Sequence, residues 1–260
     1  MPSWDAQAYA AFADERSRPF TDLVGRVGAQ APRRVVDLGC GPGPLTASLA
    51  DRWPTADVTG VDSSPTMIQA AAAHVGPRVR FVLADLTDVG AWAPPEPLDV
   101  VVSNAALQWV PSHRPLLAAL VDLLAEDGWL AFQVPGNADA PSHRALREVA
   151  EREPFAEHTT GVSRLAVADP GDYLADLVGL GCSVDAWETT YLHVLRGTDP
   201  VLRWLQGTGA RPYLESLPEK LRPSFTEALR ERLAGAYPAR GRDTLLPFRR
   251  VFVVARRTAP

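Results

Sequence analysis

The sequence predicts a doubly wound α/β fold on a mostly parallel, seven-stranded sheet, and three observations point there. Short Val-rich apolar runs recur, helical patterns separate them, and a glycine-rich turn joins the first run to the first helix. Five runs come early: RVVDLG (34–39), DVTGVD (57–62), VRFVLAD (79–85), LDVVVSN (98–104) and WLAFQV (129–134). Runs apolar on both faces suit strands covered on both sides, and alternation with helices implies right-handed crossovers in a parallel sheet. Two later runs, SVDAWETTYLHVL (183–195) and RVFVVARR (250–257), bring the strands to seven.

Between the strands, HRPLLAALVDLLAEDG shows the helix type. It sets Leu116, Leu117, Leu120, Leu123 and Leu124 on one stripe, with Gly128 as its expected stop. Ala-rich QAAAAH (69–74) is a good helix former and needs no functional reading. After Pro135 the chain becomes more polar and carries a charged helical stretch, SHRALREVAEREPF, without a strong strand pattern. The organisation expected is N-terminal lid helices over 1–30, a ligand-binding core over 31–135, and a helical insertion over 136–180. The last strands of the core then fill 181–260, with a Pro-interrupted helical cap at 199–240.

Composition bounds the function. The 260 residues are 46% hydrophobic and 22% charged, which excludes a disordered chain, a collagen and a disulfide scaffold. A net charge of -5 is the wrong sign for a nucleic-acid partner. Cys40 and Cys182 stand far apart with no metal-ligand spacing, which suits a reducing cytoplasm and predicts no metal site. The opening residues lack a signal-peptide pattern and no apolar run approaches the ~18 residues of a membrane span, so no membrane partner is expected.

The chemistry sits in VVDLGCGPGPLT, where a strand ends and a helix begins with Gly39, Gly41 and Gly43 between them. Glycines there let the backbone approach a ligand and aim amide N–H groups at it. Asp37 precedes the turn, Asp62 ends the next strand, and Asp85 closes the third. Acids at the carboxyl ends of three successive strands, beside a glycine turn, describe a nucleoside pocket in which Asp62 can accept both ribose hydroxyls. A dinucleotide site expects GxGxxG, and the third glycine's place is taken by Pro44. An acid so close favours a cationic nucleoside such as S-adenosylmethionine over a diphosphate.

DLGCGPG, GVDSSPTM, ADL and SNAALQWV together resemble the class I S-adenosylmethionine-dependent methyltransferases. WDAQAYAAFADERSRPF, SNAALQWVP, WETTYLH and FRRVFVVARR are similar, over nearly the whole chain, to the trans-aconitate methyltransferases. The resemblance implies a Rossmann-like methyltransferase fold with an antiparallel last strand and a substrate-covering insertion. It implies that Gly39 and Gly41 line the methionine moiety, that Asp37 contacts its amino group directly or through water, and that Asp62 holds the ribose diol. Ser63 and Met67 would flank the adenine, Asp85 would accept from its amino group, and Leu86 would offer a backbone N–H. Asn104 would lie near the methyl. This chain reads NAAL where many amino-group methyltransferases have NPPY, which counts against a nitrogen acceptor.

A carboxylate acceptor is already ionised at pH 7 and needs no general base, so no acid–base catalyst is expected and positioning falls to Asn104, Gln108 and Trp109. A small polycarboxylate also needs cations. Arg18 and Arg211 lead, with Arg144, Arg164, Arg249 and Arg250 as further candidates; Trp109, Tyr191 and His193 complete the substrate set. Each has a plain alternative. Surface pairing suits any of the arginines, His193 suits a structural histidine, Met67 suits the core, Cys40 is a small residue in a tight loop, and Asp62 suits a helix cap. Tyr9 and Phe12 read as helix packing or as a lid. A different small metabolite as acceptor, or a non-catalytic cofactor-binding module, are the competing functions.

Overall fold

The computed structural model describes residues 13–110, 113–162 and 167–258. Tyr9, Phe12 and Arg164 lie outside the described residues. The chain divides into two compact units. One, the sheet unit, holds the described residues up to Gly136 with Val167–Thr189 and those from Arg250 on; the second holds Asn137 to residue 162 with Thr190–Arg249.

The sheet has seven strands: β1 (Arg34–Leu38), β2 (Asp57–Asp62), β3 (Val79–Leu83), β4 (Leu98–Asn104), β5 (Leu124–Pro135), β6 (Cys182–Arg196) and β7 (Asp243–Arg257), in the order β3-β2-β1-β4-β5-β7-β6. Strands β1 to β5 pair in parallel and β7 runs antiparallel to β5. The Val-rich runs of β1, β2 and β4 are buried almost without interruption, as strands covered on both faces must be. Helices in the sheet unit are α1 (Ala13–Val24), α2 (Pro44–Arg52), α3 (Pro65–Ala71), α4 (Val89–Trp92), α5 (His113–Asp122) and, later in the chain, α8 (Pro170–Gly179). Strand order reverses at β1, whose neighbours are β2 and β4, so the carboxyl ends of these three strands form the crevice where open α/β sheets take their ligands.

Leu38, Val101, Leu117, Leu120, Phe132 and Tyr173 are among the side chains of the sheet unit's core. Tyr173 is the one polar tip among them: its hydroxyl lies 2.6 Å from His113 Nε2, its ring meets Phe132 edge-on at 5.1 Å, and Arg114 clasps Asp176 with two hydrogen bonds of 2.6 and 2.7 Å. Helices α5 and α8 are thereby tied together.

Two expectations are corrected. Helix α5 stops at Asp122, well before Gly128; Asp127 takes the left-handed conformation (φ 62) instead, while a Cβ at Gly128 would stand 2.9 Å from the carbonyls of Ala125 and Leu98. Gly128 serves close approach at the β4–β5 irregularity rather than a helix stop, and Leu124 belongs to β5. The last strand begins at Asp243, seven residues early, with Pro247 exposed within it. Its first half alternates in burial and its second half is covered on both faces, so only the second half carries the apolar run that sequence patterning detects. The stretch 136–180 is also shared between the units, because α8 packs with α5.

In the second unit, α6 (Pro141–Ala150), α7 (Ala156–Thr159), α9 (Pro200–Gln206), α10 (Arg211–Ser216) and α11 (Arg222–Ala236) gather around their own contacts. Phe155 meets Phe225 edge-on at 5.2 Å, and Ser142 donates its backbone N–H to the Tyr237 hydroxyl at 3.0 Å. No helix among the described residues is long and apolar enough to cross a membrane.

Candidate active site

The turn after β1 is bound to the sheet. Gly39 and Cys40 donate their backbone N–H groups to the Val61 carbonyl at 2.8 and 3.1 Å. Gly39 (φ 75) has no room for a side chain, since a Cβ there would fall 2.1 Å from the Ala106 Cβ. Gly41 is different: its φ of 55 also calls for glycine, yet an added Cβ would meet nothing within 4 Å. The chain thus presents bare backbone to an open space, as a cradle for a ligand does.

Two acids lie close to this turn. Asp62 accepts from Gly41 N (3.0 Å) and from Ser64 N (2.8 Å), and Ser64 in turn caps α3 by accepting from Met67 N. The helix cap is therefore Ser64 and not Asp62, whose carboxylate instead ties the glycine turn to the residue before the helix. Asp37 is buried and accepts from the Thr46 hydroxyl at 2.6 Å. Burial pushes the Asp37 carboxyl up to about 6, against the opposing hydrogen bond from Thr46, and nearby Asp62 adds to the rise. Burial also raises Asp62, partly offset by its backbone N–H donors. Two carboxylates held at a cost in one place favour a cation and repel a diphosphate. Cys40, buried in the turn, has its thiol pushed up by burial and the same two acids, so it is a packing residue and not a nucleophile.

At the end of β4, Ser103 donates to the Leu38 carbonyl at 2.9 Å, and Leu38 pairs with Ser103, so Asn104 stands one step beyond, level with Gly39. Ala105 adopts a left-handed φ of 55, unusual for a side-chain-bearing residue, and is held there by its N–H to Gln133 O (2.9 Å) and its carbonyl to Gln108 Nε2 (2.6 Å). Gln108 lies in a 3₁₀ turn with Trp109, and its Oε1 is buried with no hydrogen-bond partner among the described residues. Asp85 is exposed and accepts twice from Thr87, which lowers its pKa; Leu86 and Met67 are buried.

Asp37, Gly39, Gly41, Asp62, Ser63, Met67, Asp85, Leu86, Asn104, Gln108 and Trp109 all belong to the sheet unit, as does Arg18, exposed on α1. Tyr191, His193 and Arg211 belong to the second unit. There Tyr191 and His193 are buried, His193 packed against Trp204 (4.8 Å between rings) and Phe248 (6.0 Å), and Arg211 pairs with Glu215 one turn on. Two hydrogen-bond partners, of Asp37 and of Asn104, leave little trace in the sequence. Thr46 hides in the first turn of α2, an ordinary place for a threonine, and Gln133 left one signal, a polar residue within the apolar run WLAFQV. A groove of about 610 Å³ lined by Arg33, Arg34, Asp57, Arg80 and Glu96 lies at the starts of the strands, the end opposite the glycine turn.

A switch point with a glycine turn and strand-end acids marks a nucleoside-binding α/β fold, and within that class the chain belongs to the methyltransferases: a family model described as a methyltransferase domain matches residues 9–168. Among its relatives are proteins named trans-aconitate 2-methyltransferase. That of Streptomyces avermitilis is 50% identical over 100% of this chain and 98% of its own length. That of Mycobacterium sp. (strain KMS) is 53% identical over 97% and 99%. Among solved structures, the chain resembles an S-adenosyl-L-methionine-dependent methyltransferase from Thiobacillus denitrificans, in complex with S-adenosyl-L-homocysteine, with a TM-score of 0.53 at 20% identity over 92% of this chain and 91% of that one. It also resembles the YcgJ protein of Bacillus subtilis, with a TM-score of 0.60 at 12% identity over 94% and 100%.

Proposed function

We propose that this enzyme transfers a methyl group from S-adenosylmethionine to a carboxylate oxygen of trans-aconitate, giving the mono-methyl ester. The observation that carries the reading is the open space at Gly41, whose backbone N–H is held by the Asp62 carboxylate, with the buried Asp37 close enough to Asp62 to feel its charge. It suits a nucleoside that brings positive charge. The acceptor rests on the full-length likeness to proteins named for trans-aconitate.

S-adenosylmethionine, when bound, supplies an electrophilic methyl on a sulfonium. The protein's own part is to hold and orient. Asp62 would accept from the ribose hydroxyls while keeping Gly41 in place, Asp37 would face the amino group, and Gly39 and Gly41 would line the methionine moiety. Ser63, Met67, Asp85 and Leu86 would frame the adenine. Asn104, Gln108 and Trp109 position the acceptor, for which no residue need remove a proton, because a carboxyl with a pKa near 4 is already ionised at neutral pH. Catalysis is then mainly alignment and exclusion of water. Arg18, Trp109, Tyr191, His193 and Arg211 are the acceptor residues this reading tests one at a time. The free, buried Cys40 and Cys182 are compatible with a cytoplasmic home.

The experiment is incubation with labelled S-adenosylmethionine and trans-aconitate, cis-aconitate, citrate or isocitrate, followed by mass spectrometry. A labelled mono-ester formed fastest from trans-aconitate is expected. Transfer to none of the four would overturn the acceptor assignment.

A further inference from the structure

Three buried polar side chains on adjacent strands form a relay in the sheet unit. Arg250 Nη1 donates to Gln133 Oε1 at 3.1 Å, and Gln133 Nε2 donates to Asn104 Oδ1 at 2.5 Å. Arg250 and Gln133 are 5% and 1% exposed, in the middle of a sheet otherwise packed with Val, Leu and Phe. Buried polar groups at such positions are costly, so the hydrogen bonds they do make favour one fixed arrangement.

The direction of this relay is fixed by chemistry. A guanidinium has donors and no acceptor, so Gln133 must turn its carbonyl oxygen to Arg250. Its amide nitrogen must then face Asn104, which is obliged to offer Oδ1. What Asn104 has left is its N–H₂ group, without a partner among the described residues, at the end of β4 level with the Gly39 turn. Swapping the Asn104 amide would place two N–H₂ groups face to face, so the outward donor is locked in.

We propose that Arg250 and Gln133 are positioning residues that set the polarity of Asn104, so that it presents hydrogen-bond donors to a carboxylate oxygen in the active site. This rests on the methyl-transfer reading for the identity of the ligand, but not for the polarity itself. The carboxylate belongs either to the acceptor or to the methionine end of the donor, and the two are separable by experiment.

Gln133→Glu is the informative change. A glutamate can pair with Arg250 but cannot donate to Asn104, whose amide should then rotate, bond Glu through Nδ2 and turn Oδ1 to the site. Side-chain amide exchange of ¹⁵N-labelled protein, with Asn104 assigned by its loss in Asn104→Leu, reads that rotation without any turnover. Exchange of the Asn104 N–H₂ is expected to slow at least about tenfold in Gln133→Glu, and unchanged exchange would overturn the polarity argument whatever the acceptor proves to be. Calorimetry with S-adenosylhomocysteine and steady-state kinetics with trans-aconitate then assign the ligand. A rise in KM of about tenfold or more, with S-adenosylhomocysteine affinity within twofold, marks the acceptor carboxylate; a matching loss of S-adenosylhomocysteine affinity marks the donor's. Both constants within twofold of the parent would contradict the proposal. Arg250→Lys, which still donates, should keep the parent constants, while Arg250→Met should lose part of the effect; equal behaviour of the two at unchanged thermal midpoints would show that Arg250 sets nothing.

Discussion

Burial makes Asp37 costly to ionise. Its carboxyl stands at about 6 in the folded protein against 3.8 for an exposed aspartate. Between those values the native state binds more protons than the unfolded one, so this group lowers stability as pH rises from about 4 to about 6. The expected penalty above pH 6 is on the order of 3 kcal/mol. Asp37→Asn keeps an acceptor for Thr46 and should remove it: urea unfolding of the two proteins should agree near pH 4 and favour the asparagine variant above pH 6. The same ionisation attracts a cationic ligand, so parent affinity for S-adenosylhomocysteine should climb through pH 6 while that of Asp37→Asn stays flat and weak. Equal stabilities at every pH would contradict the burial argument. The aspartates themselves were legible in the sequence, because acids at strand ends beside a glycine turn have few structural uses. Thr46 and Gln133 were not, since a threonine in a first helical turn is ordinary and Gln133 acts by touching residues distant in the chain.

At the scale of elements, α5 and α8 are joined by a buried bond and an exposed one. Arg114 and Asp176 are partly exposed, so solvent screens their pairing and its contribution is small. The His113–Tyr173 bond is buried; His113 also bonds the Val110 backbone, which leaves its Nε2 to accept the Tyr173 hydroxyl. Tyr173→Phe keeps the ring against Phe132 and strands His113 Nε2, so it should destabilise by about 1–2 kcal/mol in urea unfolding. An unchanged midpoint would show that this bond ties nothing. Neither the pair nor the clasp could be found beforehand, as 60 residues separate His113 from Tyr173. The strands were legible for the opposite reason: apolar runs buried on both faces, such as those of β1 and β4, leave their record locally. Where one face is open, as in the first half of β7, the record fades.

For the whole molecule, the central claim is about which end of the sheet binds the donor. The carboxyl ends of β1, β2 and β4 gather Asp37, Asp62, Gly41 and Asn104, whereas the strand starts bear a roomy groove with Arg33, Arg34 and Arg80. The groove offers arginines beside Asp57 and Glu96, whereas the chemistry of a cationic nucleoside favours the acids at the carboxyl ends. Calorimetric titration of S-adenosylhomocysteine into Asp62→Ala and Arg80→Ala decides between them. Asp62→Ala should lose about 10- to 150-fold in affinity and Arg80→Ala should keep that of the parent. Parent affinity in Asp62→Ala together with a large loss in Arg80→Ala would contradict the central claim.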